Sequence, residues 1–135
     1  MNPDELENLI RSRRSSLLLD AEKQVTNDLL QRITDAAQFA PNHRRTWPLR
    51  IAAVTGASRS VLGDTIADAM AMFGDDEAKV TKARTKYLRS PVVLVVASAQ
   101  GSSENETEEN KYAVAAGIQN MLLMAHSLGL AALWG

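Results

Sequence analysis

The stretch "APNHRRTWPLRIAAVTG", residues 40–56, changes structural period within a few positions. Upstream of it, Leu29, Leu30, Ile33, Ala36 and Ala37 recur at helical spacing and predict a helix over residues 27–39. Pro41 disfavours helical geometry at Ala40 and ends that helix. Downstream, residues 49–56 predict a strand closed by a turn. The loop between them is bracketed by Pro41 and Pro48, whose fixed φ predicts an extended, stiff backbone presenting Asn42, His43, Arg44 and Arg45. A rigid loop of donors suits recognition of a planar polar heterocycle. The plainer alternative is a surface turn whose histidine caps a neighbouring helix.

Working outward, Asn2 followed by Pro3, Asp4 and Glu5 is a helix start, with Leu6, Leu9 and Ile10 as its apolar stripe. "SRSVLGDTIADAMAMFG", residues 58–74, predicts a helix interrupted or weakened at Gly63 and closed by Gly74. "DDEAKVTKARTKYLRS" predicts a charged helix with a thin apolar side, suited to a surface lid or a subunit-facing cover. After Pro91, "VVLVVAS" lacks polar alternation, the pattern of a central strand covered on both faces. "QGSSENETEEN" reads as an acidic loop leading into a long helix over residues 108–128. Its stripe of Ala113, Ala116, Gly117, Asn120, Met121, Met124 and Ala125 would let another helix approach closely, from this chain or from a second subunit. Gly129 is a helix stop, and "LAALWG" predicts the start of another apolar strand. Strands alternating with helices make the fold α/β or α+β with a mainly helical outer layer. Residues 1–135 are expected to form one domain, and its end directly after an apolar strand predicts a C-terminally incomplete one.

Fifteen Lys+Arg against sixteen Asp+Glu leave the 135-residue chain almost neutral, so no global field favours nucleic acid or an anionic membrane. There is no cysteine, which excludes thiolate chemistry and disulfides and fits a cytoplasmic location. No apolar run approaches the roughly 20 residues of a membrane helix. With two histidines and no HExxH spacing, a metal site is not expected. GxGxxG, P-loop and GxSxG patterns are missing as well. "RSRRSS", residues 11–16, offers guanidiniums and a hydroxyl to a phosphate, or is a solvated helix end. Trp134 reads either as core or as a packing face for an aromatic ligand, and His126 as a structural or surface residue.

Taken in order, Arg13-Arg14-Ser15, "AAQFAPNHRRTWP", "KARTKYLRSPVVLVVAS" and "AVAAGIQNMLLMAHSLGLAALW" resemble the nitroreductase family of FMN-dependent oxidoreductases, in a compact branch. The resemblance spans essentially the whole chain. It implies an α+β, sandwich-like fold with a central, mainly antiparallel sheet covered by helices, and an obligate-type homodimer holding FMN at its interface. By that likeness Arg13, Arg14 and Ser15 grip the flavin's phosphate and ribityl chain. His43 reaches it from the other subunit, and Leu133 and Trp134 give backbone contacts. NAD(P)H would be the co-substrate and a nitroaromatic, quinone or enone the small-molecule acceptor. The chemistry would be carried by FMN, with no catalytic side chain and with Arg44 or Arg45 as a candidate cation near flavin N1.

This chain also departs from the family pattern. Leu17 and Leu18 stand where a further cation follows the serine. Trp47-Pro48-Leu49 replaces Gln-Pro-Trp, and Phe39 replaces a basic residue. Two rival readings follow. One is a non-catalytic flavin-binding or dimerising fragment of the family. The other is a small nucleic-acid binder using Arg11, Arg13, Arg14, Arg44 and Arg45, which near-zero charge and only two each of Phe, Trp and Tyr count against.

Overall fold

The computed structural model describes residues 2–135. Along the chain come α1 (Pro3–Ser12), α2 (Asn27–Ala36), β1 (Leu49–Thr55), α3 (Ser58–Met72), α4 (Glu77–Lys86), β2 (Val92–Ser98) and α5 (Glu104–Ser127). Short 3₁₀ turns occupy Ala37–Phe39, His43–Arg45 and Tyr87–Arg89. The two strands pair with each other, and Ala99 N–H donates to Pro48 O at 2.7 Å, so the exit of β2 lies beside the entry of β1 in antiparallel register. The class is α+β. No helix among the described residues is long and apolar enough to cross a membrane.

The chain forms two compact units. The larger comprises the residues up to Leu18, Thr26–Ile51 and Val96–Gly135; the smaller comprises Leu19–Val25 and Ala52–Val95. In the larger unit, α1 opens as its sequence dictates. Asn2 Oδ1 accepts from Glu5 N–H at 2.8 Å, and Glu5 Oε2 accepts from Asn2 N–H at 2.9 Å, satisfying two otherwise orphaned donors. Helix α2 is capped by Thr26 and tightens into the 3₁₀ turn at Ala37–Phe39, two residues before the proline that forbids its continuation. Helix α5 starts at Glu104 rather than at residue 108. Ser103 caps Glu106 N–H, and the acidic stretch expected as a loop is in part the first turns of the helix, where carboxylates suit the positive dipole end.

Helix α5 turns Asn110, Val114, Gly117, Met121 and Ala125 inward. A Cβ at Gly117 would sit 3.2 Å from Ala37 O, so the close approach is made by α2 and its terminal turn. Intrachain packing therefore accounts for the glycine of the small-residue stripe. Asn120 Nδ2 donates to Ala36 O at 3.2 Å, closing one carbonyl left open at the end of α2.

In the smaller unit, α3 runs unbroken through Gly63, contrary to the expected interruption. The missing side chain serves packing: a Cβ there would meet Arg84 O at 2.3 Å. Ala67 and Ala83 are buried too, and Arg84 reaches Asp64 and Asp68 at 3.2 and 2.8 Å. The thin apolar side of α4 thus closes on α3.

Two strand expectations fail. β2 has a single neighbour, and Val95 is 42% exposed, so within this chain it is not covered on both faces. An all-apolar run shows that burial is wanted without saying which chain supplies it. The segment after Gly129 forms no strand; it makes one parallel bridge, Ala132 to Ser15, because only that short extended piece of chain lies beside it.

Replacing Gly63 with Ala forces α3 and α4 apart. The expected loss is about 1–3 kcal/mol of stability, the usual cost of overpacking, measurable by urea unfolding; an unchanged midpoint would refute the contact.

Candidate functional site

The loop of residues 40–48 is not extended as its prolines suggested. Arg44, Arg45 and Trp47 all adopt left-handed backbone, with φ of 59°, 52° and 48°. Proline fixes only its own φ and biases the residue before it, so the centre of the loop is free to turn. Non-glycine residues enter that region at a cost, so neighbouring contacts must hold them there.

Those contacts are polar. Asn42 Oδ1 accepts from Trp47 N–H at 2.8 Å, and Asn42 Nδ2 donates to Thr46 Oγ1 at 3.0 Å. Thr46 Oγ1 donates to Asn110 Oδ1 on α5 at 2.5 Å, while Asn110 Nδ2 donates to Ala99 O at 3.2 Å. Beside this chain His43 Nδ1 lies 2.9 Å from Glu109 Oε2. That bond is the main reason the Glu109 carboxyl is held below its ordinary value, with Asn105 and the nearby Arg44 adding to the effect. Arg44 and Arg45 are exposed; Arg45 N–H donates to Asn42 O at 3.2 Å, but neither guanidinium has a hydrogen-bond or ion-pair partner among the described residues. Next to the loop lies an open cleft of about 360 Å³, lined in part by Gln31, Asp35, Gln38, Trp47, Arg50 and Ala113.

The other expected site residues gather at the far end of α5. Ser12 Oγ and His126 Nε2, 2.9 Å apart, fasten the end of α1 to the last turn of α5. Beyond α1 the chain pairs with the C-terminal segment through the Ser15–Ala132 bridge, and Ser16 N–H donates to Ala132 O at 3.3 Å. Arg13 and Ser15 are thereby neighbours in the fold of Leu133 and Trp134. Arg13 is half-buried and its guanidinium has no partner among the described residues. Arg14 turns back on its own helix end, donating to Arg13 O at 2.8 Å and to Arg11 O. Leu133 and Trp134 are exposed rather than core.

The site residues therefore form two groups. His43, with its partner Glu109, marks one end of α5, and the group of Arg13, Arg14, Ser15, Leu133 and Trp134 is fastened near His126. At 1.5 Å of rise per residue, Glu109 and His126 stand about 26 Å apart along the helix. The sequence reading missed Thr46 and Asn110. The signal was an asparagine at position 110 in register with Val114, Gly117, Met121 and Ala125, a polar residue on an otherwise apolar helix face.

The fold and the paired segments define a class. Residues 10–134 match the nitroreductase family, and the chain belongs to that family. Among its relatives is YdjA of Escherichia coli (strain K12), which carries the provisional name NAD(P)H nitroreductase; identity is 27%, over 97% of this chain and 71% of YdjA. A nitroreductase-like family protein from Bacillus cereus superposes with a TM-score of 0.79 at 28% identity, covering 96% of this chain and 68% of that one. A nitroreductase with bound FMN from Bacteroides fragilis gives 0.76 at 26% identity, covering 97% and 68%.

Removing the ring in His43→Ala raises the Glu109 carboxyl toward its ordinary value of 4.5, followed by ¹³C NMR of the side-chain carboxyl. Because the folded-state value is depressed, the stabilising tie is present above the unfolded value and is lost as pH falls through the folded one. An unmoved titration would show that the pair does not form. Arg45→Gly, which relieves a left-handed residue, stabilises the protein by up to about 1 kcal/mol in urea unfolding; a destabilised variant would contradict the strained backbone.

Proposed function

We propose that this protein is an FMN-dependent oxidoreductase, a homodimer that passes a hydride from NAD(P)H to a nitroaromatic, quinone or enone acceptor. Hydride acceptance at flavin N5 is the cofactor's own chemistry; the chain binds, orients and shields it. Family membership and the FMN held by the Bacteroides fragilis relative support this reading.

The residues present fit the group. Arg13 offers a guanidinium with no partner among the described residues, two positions before the Ser15 hydroxyl, to a phosphate that needs paired donors. Arg14 joins it by rotating off the carbonyls of Arg11 and Arg13. Leu133 and Trp134 expose backbone and an apolar face next to this corner. At the other end of α5, His43 stands ready with Arg44 and Arg45, cations suited to reduced flavin.

One observation supports the dimer: the two half-sites lie against opposite ends of α5, at Glu109 and at His126, about 26 Å apart along the helix. Two copies running in opposite directions bring the loop of one to the Arg13 corner of the other, making two equivalent sites. Exposed Leu17, Leu18, Phe39 and Tyr112 on the larger unit supply apolar surface for such a contact. A cytoplasmic location goes with this reading.

A second reading keeps the flavin and drops turnover. Leu17 and Leu18 replace a cation, and Arg14 is engaged with its own backbone, so the phosphate grip is reduced. Binding of FMN without reduction by NAD(P)H would favour it.

Titrating the purified protein with FMN gives a yellow complex that bleaches anaerobically with NAD(P)H, and sedimentation gives a dimer. Arg13→Ala weakens FMN binding about 10–100-fold, as expected for a charged hydrogen bond. A protein that stays colourless in excess FMN overturns the proposal.

A further inference from the structure

We propose that Asn110 is a positioning residue that holds the loop of residues 40–48 in its binding shape, so that the loop is a preformed arm rather than one ordered by its cofactor. Its link to FMN rests on the function proposed above; its link to the loop does not.

Asn110 is 3% exposed and is the one buried polar side chain among the described residues. It occupies a helix-face position where an apolar side chain would pack without the cost of desolvating an amide. That cost is met because both ends of the amide are bonded, and the bonds have a direction. Trp47 N–H donates to Asn42 Oδ1, Asn42 Nδ2 to Thr46 Oγ1, Thr46 O–H to Asn110 Oδ1, and Asn110 Nδ2 to Ala99 O. Ala99 N–H then donates to Pro48 O, so the relay returns to the residue that ends the loop. Each hydroxyl or amide has only one arrangement of donors and acceptors that satisfies this circuit.

The circuit encloses the backbone of residues 42–48, where all three left-handed non-glycine residues lie. Other bonds inside the loop are local: Arg45 N–H donates to Asn42 O at 3.2 Å and Asn42 Nδ2 also reaches His43 O at 3.4 Å, while His43 bonds outward to Glu109. The relay through Thr46 ties Asn42, the residue at the centre of those bonds, to Asn110 on α5. Helix α5 does not need the relay for its own packing, which Gly117 secures against Ala37 and Asn120 against Ala36. The role of Asn110 is thus exerted on the loop, through Thr46. An aspartate of the same size would fail there, because it has no donor for Ala99 O and would bury a charge.

Hydrogen exchange at Trp47 N–H in the FMN-free protein, with FMN titration of the same samples, tests this. Thr46→Val and Asn110→Asp should each speed exchange of that amide at least tenfold while circular dichroism shows the helices intact. Thr46→Ser, which keeps the hydroxyl, should retain protection, and FMN affinity should follow the same pattern with about a tenfold loss. Protection that survives both Thr46→Val and Asn110→Asp overturns the positioning role, as does loss of it in Thr46→Ser. Loss of protection with FMN affinity unchanged overturns the arm's part in binding. A wild-type protein with a protected Trp47 amide and no affinity for FMN would sink the flavin reading and leave the relay standing.

Discussion

Helix α5 and the end of α2 approach closely where residue 117 has no side chain. Its α-carbon faces Ala37, and a methyl group there would press on the Ala37 carbonyl. That contact sets the register of everything else in the larger unit. From it the chain leaves α2 through a 3₁₀ turn, passes Pro41, and meets α5 again at Glu109 and Asn110, about two turns nearer the helix start. In the other direction His126 takes the end of α1. One helix thus serves as a ruler against which both groups of candidate residues are measured.

Much of this architecture was legible in the sequence. The Asn2 cap, the stop at Pro41 and both strands are local effects, decided by residues within a few positions of each other. The rest depends on partners far along the chain. Gly63 looks like a helix breaker until Arg84 is found packed on it. An acidic loop and an acidic first turn have the same composition, and only the hydroxyl of Ser103 distinguishes them. The sign of φ at Arg44 and Arg45 cannot be read from an arginine, because it belongs to a loop whose hydrogen bonds run through Asn42 and Thr46 to Asn110, far along the chain. At the site, the nearness of Arg13 and Ser15 to Leu133 and Trp134 was reachable only through family resemblance, since one β-bridge joins segments from opposite ends of the sequence.

The buried core is small. Its buried apolar residues are Ile33, Val114 and Met121 with four alanines, while Leu18 is 91% and Phe73 88% exposed. A chain of 135 residues has enough apolar side chains for more than this. The exposed residues occur in both units: Leu17, Leu18, Phe39 and Trp134 in the larger, Val61, Met72 and Phe73 in the smaller. Isolated surface leucines need no explanation, but this many large apolar groups in water favour association.

The bridge between Ser15 and Ala132 also carries a consequence for biosynthesis. Ser15 leaves the ribosome early, yet its bridge partner Ala132 follows more than a hundred residues later. Until translation reaches Ala132, Ser15 has no bridge partner, so this pairing cannot guide the early steps of folding. Helix α2 and the smaller unit consolidate without it, and this long-range contact is added afterwards.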